Sequence, residues 1–243
     1  MTDKQLSCHI CHQPLDAHFL GEKNGFRLIS CKSCGSVMAD PWVKAEEVEK
    51  FFAEIVPEIV HIPDPQAEIT RIKNHLQKIV PSPADKSFLD ISCRQGYAVI
   101  AAKELGMRAC GIDPHEFFIE FAKDKYDANL FEHISVQEYA ARGEKADFVY
   151  SVESFCEQSD PEGYMTGLAK LIAPGGRAYL QEPDGNHFML PRNFVRWGFV
   201  DPPLNFVYLS KKGMRALMRR HGLKVEKTYF TMKPFMYFAA TRG

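Results

Sequence analysis

Apolar positions change period along this chain, and the changes mark its elements. From Lys44 to Ile55, Val48, Phe51, Phe52 and Ile55 recur at helical spacing. A proline-containing stretch, Pro57 to Pro65, reads as a linker. Gln66 to Val80 carries Ile69, Ile72, Leu76 and Ile79, a second amphipathic helix, which Pro81 and Pro83 stop. Phe88, Leu89 and Ile91 then read as a short buried strand, Gly96 as a tight turn, and Tyr97 to Glu104 as a helix ended by Gly106. Ala109 to Asp113 is a second buried strand. Pro114 opens a helix through Phe117, Phe118, Phe121 and Ala122.

The alternation continues to the end. Strands are expected at Asn129–Ile134, Ala146–Val152 and Arg177–Gln181, and helices at Pro161–Ile172 and Ser210–His221. Val225–Thr231 and Phe235–Ala240 form a closing hairpin around Lys233-Pro234. Strands alternating with helices predict an α/β fold around a parallel sheet. Gly185 to Asn205 is too long for a plain connection. Its aromatic residues, with Arg192 and Arg196, suit either a substrate lid or a packed insertion.

Before residue 43 the pattern differs. Apolar residues are sparse, and Cys8-x-x-Cys11 and Cys31-x-x-Cys34 each offer two thiolates to one tetrahedral ion. Gly35 supplies the turn after the second pair, and His12 stands in that place after the first. Zinc on Cys8, Cys11, Cys31 and Cys34 is the expected ligation, with a core separate from the sheet domain. His9, His12 and His18 read as surface histidines. The divisions expected are a zinc ribbon at 1–42, a helical cover at 43–83 and a sheet domain at 84–243.

Composition narrows the function classes. The 243 residues suffice for one large domain and a small appendage, and the net charge of -1 gives no general attraction to nucleic acid. No apolar run approaches the roughly 20 residues of a membrane helix, so no membrane partner is expected. Residues 1–5 lack the apolar core of a signal peptide, and the cysteine usage fits a reduced compartment. A cytoplasmic location is therefore expected. Nothing in the sequence addresses oligomeric state.

Three blocks carry a resemblance. Leu89-Asp90-Ile91-Ser92-Cys93-Arg94-Gln95-Gly96, then Gly111-Ile112-Asp113-Pro114, then Leu171-Ile172-Ala173-Pro174-Gly175-Gly176-Arg177 resemble class I S-adenosylmethionine (SAM) methyltransferases in order and spacing. The family loop reads Asp-x-Gly-x-Gly-x-Gly; here Ser92 and Arg94 replace the first two glycines. Phe26 to Pro41 resembles the zinc ribbon fused to bacterial methyltransferases of sugars and secondary metabolites. The resemblance implies a Rossmann-like seven-stranded sheet with an antiparallel last strand. It also implies SAM on Asp90, Ser92, Arg94, Gly96, Asp113, Pro114, Ser135 and Ser151, with Asp113 on the ribose and Pro114 and His115 near the adenine.

The acceptor implied is a small molecule or an activated sugar. Its proton would pass to one of Glu153, Glu157, Glu182, Asp184 or His187, and Tyr208 would border the acceptor pocket. Glu157-Gln158 stands where many relatives have Glu-His. Two other classes stay open: an rRNA methyltransferase, and a non-catalytic protein of the same fold that senses a ligand or holds a partner.

Overall fold

A computed structural model describes residues 7–59 and 64–243. Near the N-terminus β1 (Ala17–Lys23) and β2 (Phe26–Cys31) form an antiparallel hairpin. Its turn is Asn24-Gly25, both at positive φ, the sequence a two-residue hairpin turn demands. Then β3 (Val37–Asp40) pairs with β2. Helix α1 (Ala45–Ile59) runs past the expected end at Ile55, because Pro57 in the last turn removes one intrahelical bond without ending the helix. The rest of the expected linker includes residues 60–63, which lie outside the described residues. Helix α2 (Pro65–Ile79) starts on an Asp64 cap and buries Ile69, Ile72 and Leu76, as its spacing predicts.

The sheet domain alternates as read: β4 (Ser87–Ile91), α3 (Tyr97–Glu104), β5 (Arg108–Asp113), α4 (Glu116–Lys125), β6 (Phe131–His133), α5 (Val136–Ala141), β7 (Ala146–Val152), α6 (Pro161–Leu171) and β8 (Ile172–Pro183). After the long loop come β9 (Val207–Tyr208), α7 (Lys211–Arg220), β10 (Leu223–Tyr229) and β11 (Phe235–Arg242). Seven strands lie in the order β10-β11-β8-β7-β4-β5-β6, and β11 runs antiparallel to its neighbours. Strand β8 starts five residues before the expected Arg177. Ala146 pairs with Ile172 and Phe148 with Arg177, so the Pro-Gly-Gly turn is absorbed as an irregularity.

The ribbon is not the separate unit expected. Strand β9, from beyond the long loop, pairs with β3 and completes a four-stranded sheet, β1-β2-β3-β9. One apolar cluster runs from Cys8, Ile10, Leu28 and Met38 to Tyr208, Met214, Leu217 and Leu180. A hairpin this small cannot bury a core of its own, so it shares that of the sheet domain. Helix α7 lies directly on it: a Cβ on Gly213 would sit 2.2 Å from Ser36 Oγ. Ser210 donates through Oγ to the Cys34 carbonyl at 2.5 Å, and Arg220 donates to the Ile10 carbonyl at 2.9 Å.

Candidate active site

The carboxyl ends of β4, β5, β7 and β8 converge on one place, where open α/β sheets take ligands. The loop after β4 shapes it. Ser92, Arg94 and Gly96 all have left-handed backbone, at φ 80°, 47° and 81°. The first two have side chains for which this conformation costs about 1–2 kcal/mol each. Ser92 N–H and Cys93 N–H donate to the Ile112 carbonyl at 2.8 and 3.0 Å, which ties the loop to β5. Gly96 serves packing: a Cβ there would stand 2.5 Å from the Phe131 ring. Gly111 is equally confined, by Val99 and Cys93.

Asp113, at the end of β5, is 1% exposed. Its Oδ2 accepts from Arg94 N–H at 3.0 Å, and its Oδ1 accepts from His115 N–H at 2.9 Å and meets His115 Nδ1 at 2.9 Å. The His115 ring in turn packs at a tilt against Phe52 of α1, with centroids 4.0 Å apart. Asp113, the residue expected to hold the ribose, is therefore buried with both oxygens engaged by Arg94 and His115. Arg94 turns its guanidinium across the site to the Glu157 carboxylate and, at 3.3 Å, to the Glu153 carbonyl. Burial pushes Asp90 up to about 8, with Asp113 adding to it and Arg94 opposing. Burial likewise raises Glu157 to about 7 against the pull of Arg94, and raises Glu182 well above its usual range.

The other sequence candidates separate by what holds them. Glu182 Oε1 accepts from Phe155 N–H at 3.0 Å and Ser154 N–H at 3.3 Å, and its buried Oε2 has no partner among the described residues. It fixes the loop after β7. His187 Nδ1 accepts from Met189 N–H at 3.1 Å, which leaves the proton on Nε2, 3.2 Å from the Thr231 carbonyl. Both ring nitrogens are engaged, so His187 staples the long loop to the β10–β11 turn.

Tyr208 does not border the ligand end: it is a fully buried residue of the ribbon sheet, donating to the Asn205 carbonyl and accepting from Asp201 N–H at 3.2 Å. Ser151 is also fully buried, 2.9 Å from both Ser154 Oγ and Tyr164 Oη. Ser135 caps α5 in a reciprocal box with Glu138. Asp184 pairs with Lys211 at 3.2 Å. That leaves Glu153, at φ 55° and half-buried, whose one side-chain hydrogen bond among the described residues is Oε1 accepting from Gln181 Nε2 at 3.1 Å.

A family model described as "Methyltransferase domain" matches residues 66–228. The chain belongs to this methyltransferase family. Trans-aconitate 2-methyltransferase of Paracidovorax citrulli is 28% identical over 120 residues, 48% of this chain and 46% of that one. A ubiquinone biosynthesis O-methyltransferase of Rhizobium etli is 30% identical over 96 residues, 38% of this chain and 39% of that one. The chain thus spans under half the length of these curated relatives. Among solved structures, magnesium protoporphyrin IX methyltransferase from Synechocystis PCC 6803 with bound SAH has a TM-score of 0.64 at 15% identity. That likeness covers 82% of this chain and all of the other, and it concerns the fold.

A cleft of about 160 Å³ opens beside the loop, with Ser92, Pro114, Ser135, Gln137 and Glu157 in its walls. It adjoins a hollow of about 420 Å³ bounded by Phe52, His115 and Phe117. In the ribbon the four cysteine sulfurs lie within 4.8 Å of one another. Cys8–Cys34 and Cys11–Cys31 are 3.9 and 3.8 Å apart, close to the roughly 3.8 Å edge of a tetrahedron with metal–sulfur arms of about 2.3 Å. The two knuckles match: His12 N–H donates to the Cys8 carbonyl, Gly35 N–H to the Cys31 carbonyl, and both residues are left-handed. Histidine thus occupies a backbone site that glycine fills in the other knuckle.

The long loop proves to be two things. Its second half is a packed insertion: Phe194 and Val200 are buried, and Lys23 and Asn24 of the ribbon hairpin donate to Val200 and Pro202 carbonyls. Its first half carries an exposed tip. The Asn24-Gly25 hairpin signal and the Ser135-x-x-Glu138 capping box were both readable and point to elements the periodicity did not. For β9, two residues long, the sequence holds no signal.

Proposed function

We propose that the protein transfers the methyl group of SAM to a small-molecule acceptor, with Ser92, Arg94, Asp113, Pro114 and Ser135 holding the cofactor. One observation carries the reading. The β4–α3 loop keeps three alternate residues in left-handed backbone although two of them are not glycine. Strain of this kind persists where a ligand site requires it. The surrounding charge fits as well. Asp90, Asp113, Glu153 and Glu157 gather around Arg94, an environment that favours a sulfonium and an ammonium group.

The cofactor supplies an activated methyl carbon; the chain aligns the nucleophile and handles its proton. Glu153 suits the proton step, since its carboxylate is the least committed of the candidates. Arg94 suits the cofactor's carboxylate, which would replace Glu157 as its partner in a bidentate pair. Helices α1 and α2, within the 43–83 segment, act as the cover, and Cys8, Cys11, Cys31 and Cys34 hold zinc. The acceptor is read as a small molecule or activated sugar, since both curated relatives bear small-molecule names.

Titration calorimetry with SAM and with its demethylated product tests the cofactor site. Asp113→Ala is expected to weaken binding by about 1.5–3 kcal/mol, and unchanged affinity in a variant that still folds would remove the assignment. A metabolite screen for SAM-dependent methylation, read by mass spectrometry, tests turnover. Glu153→Gln should lower kcat and leave SAM affinity intact.

The Arg94–Glu157 pair favours a second reading, in which Arg94 plugs the site and the fold senses or holds a partner without turnover. If the parent binds no SAM and Arg94→Gly binds it tightly, that reading replaces the first.

A further inference from the structure

Four large apolar side chains stand in solvent at one place. Phe188 and Met189 form the tip of the loop after β8, exposed by 64% and 51%. Phe230 and Met232 form the β10–β11 turn, exposed by 80% and 58%. The two segments are held together: the Phe188 and Phe230 rings stack at 6.4 Å, His187 stacks on Phe188 at 4.5 Å, and His187 Nε2 reaches the Thr231 carbonyl. Phe235 pairs with Pro183, so this lip stands at the ligand end of the sheet. Two exposed aromatics and two exposed methionines on adjoining turns are not what a free surface selects.

Charge says what meets the lip. The two segments that form the lip, residues 185–192 and 230–235, hold two cations and no acid, in a chain whose totals are 30 and 31. Arg192 and Lys233, both exposed, flank the lip and form no ion pair among the described residues. The nearest acid of the loop root, Asp184, is buried and neutralised by Lys211. Apolar side chains that project past a cationic rim suit a surface that is oily inside and anionic outside. A second copy of the chain would present the same cations to one another, which disfavours self-association through this face. No helix among the described residues is long and apolar enough to cross a membrane, so insertion would be shallow.

We propose that Phe188, Met189, Phe230 and Met232 dip into the interface of an anionic lipid bilayer, with Arg192 and Lys233 on its headgroups. The ligand end of the sheet then faces the bilayer. On the methyl-transfer reading, this selects the small-molecule acceptor over the activated sugar, as an apolar molecule drawn from the lipid phase; the binding itself does not depend on that reading.

Sedimentation of the full chain with vesicles, without SAM, tests the proposal. Vesicles of phosphatidylcholine alone are compared with an equal mixture of phosphatidylcholine and phosphatidylglycerol. Binding to the mixed vesicles, weakened by salt, is expected. Phe188→Asp with Phe230→Asp should lower it at least about tenfold, the scale of withdrawing two aromatic side chains from an apolar phase. Arg192→Ala with Lys233→Ala should lower it on anionic vesicles about tenfold or more.

Both aromatics are largely in solvent, so melting is expected to be unchanged. Should it shift, Met189→Ser with Met232→Ser asks the same question without breaking the ring stack. No binding to anionic vesicles overturns the proposal, as does binding that these variants leave unaltered. It is also overturned by concentration-dependent dimers, seen by light scattering, that Phe188→Asp abolishes. Because SAM is absent, failure here is distinct from failure of the cofactor reading, which calorimetry decides.

Discussion

The cysteine knuckles and the β4–α3 loop pose the same backbone problem and hold it by different means. Each needs left-handed residues, and each fills some of those places without glycine: His12 in one knuckle, Ser92 and Arg94 in the loop. In the knuckles, four thiols converge within 4.8 Å, so a metal can fix the turn from inside. The loop rests instead on backbone bonds to the Ile112 carbonyl and on the Asp113 carboxylate. On the readings proposed above, one region would depend on its metal to fold, and the other would store strain for a cofactor that arrives later. The difference predicts that damage to the knuckles unfolds, whereas damage to the loop unbinds.

The largest expected effect is on the knuckle side. Cys34→Ser should release the metal, as elemental analysis would read, forfeiting binding energy on the order of 10 kcal/mol. Since the ribbon shares one core with the sheet domain, calorimetry should show a single unfolding transition at lower temperature. A ribbon lost while the sheet melts as before would restore the picture of separate cores.

Next comes the pH response of the loop's surroundings. Asp90 and Glu157 take up protons more readily when folded, at about 8 and about 7, than when unfolded near 4. The stability tied to their protonated forms is fully present below about pH 4 and is lost as pH rises toward 7–8. Melting of the SAM-free protein should therefore fall over that interval, and Asp90→Asn should flatten the fall by up to several kcal/mol at about pH 8. A parallel curve for the variant would mean that Asp90 is ionised and otherwise compensated.

Gly96→Ala is smaller. It meets the Phe131 ring and adopts an unfavourable φ, for an expected loss of about 2–4 kcal/mol by denaturant titration. Smallest is Ser92→Gly, which relieves left-handed strain at the expense of unfolded-chain entropy and should change stability by no more than about 1 kcal/mol. The same change at His12 should do less good, because His12 also pairs with Glu162 at 3.1 Å. Should His12→Gly stabilise more than Ser92→Gly, the contrast between the two regions would be reversed.

Much of this was legible because it is local. Strand β7 and helix α6 fall where Ala146–Val152 and Pro161 onward predicted, since burial on both faces and a proline start leave plain marks. The placement of Asp113 at the end of β5 and the pairing of the four cysteines were readable for the same reason: both are set by local spacing. What could not be read was contact between distant segments. Tyr208 looked like a pocket residue because aromatic residues recur beside acceptor sites, but β9 pairs with β3, some 170 residues earlier. Ser151 sat at the right strand end and faces Tyr164 instead. Arg94 stood out as a departure, yet its partner Glu157, 63 residues on, came from no local rule.

That β3–β9 pairing has a consequence for biogenesis. As the chain leaves the ribosome, the cysteines emerge before the sheet domain and can capture metal while β3 still has one side unpaired. Its mate is made only after most of the sheet domain. Until then the early ribbon exposes an open edge, Val37 to Asp40, of the sort that recruits other chains. A truncated N-terminal fragment would carry that edge permanently and should be sticky even when loaded with metal. The complete protein closes it late, through a contact of long sequence separation, which makes this the slow step of assembly.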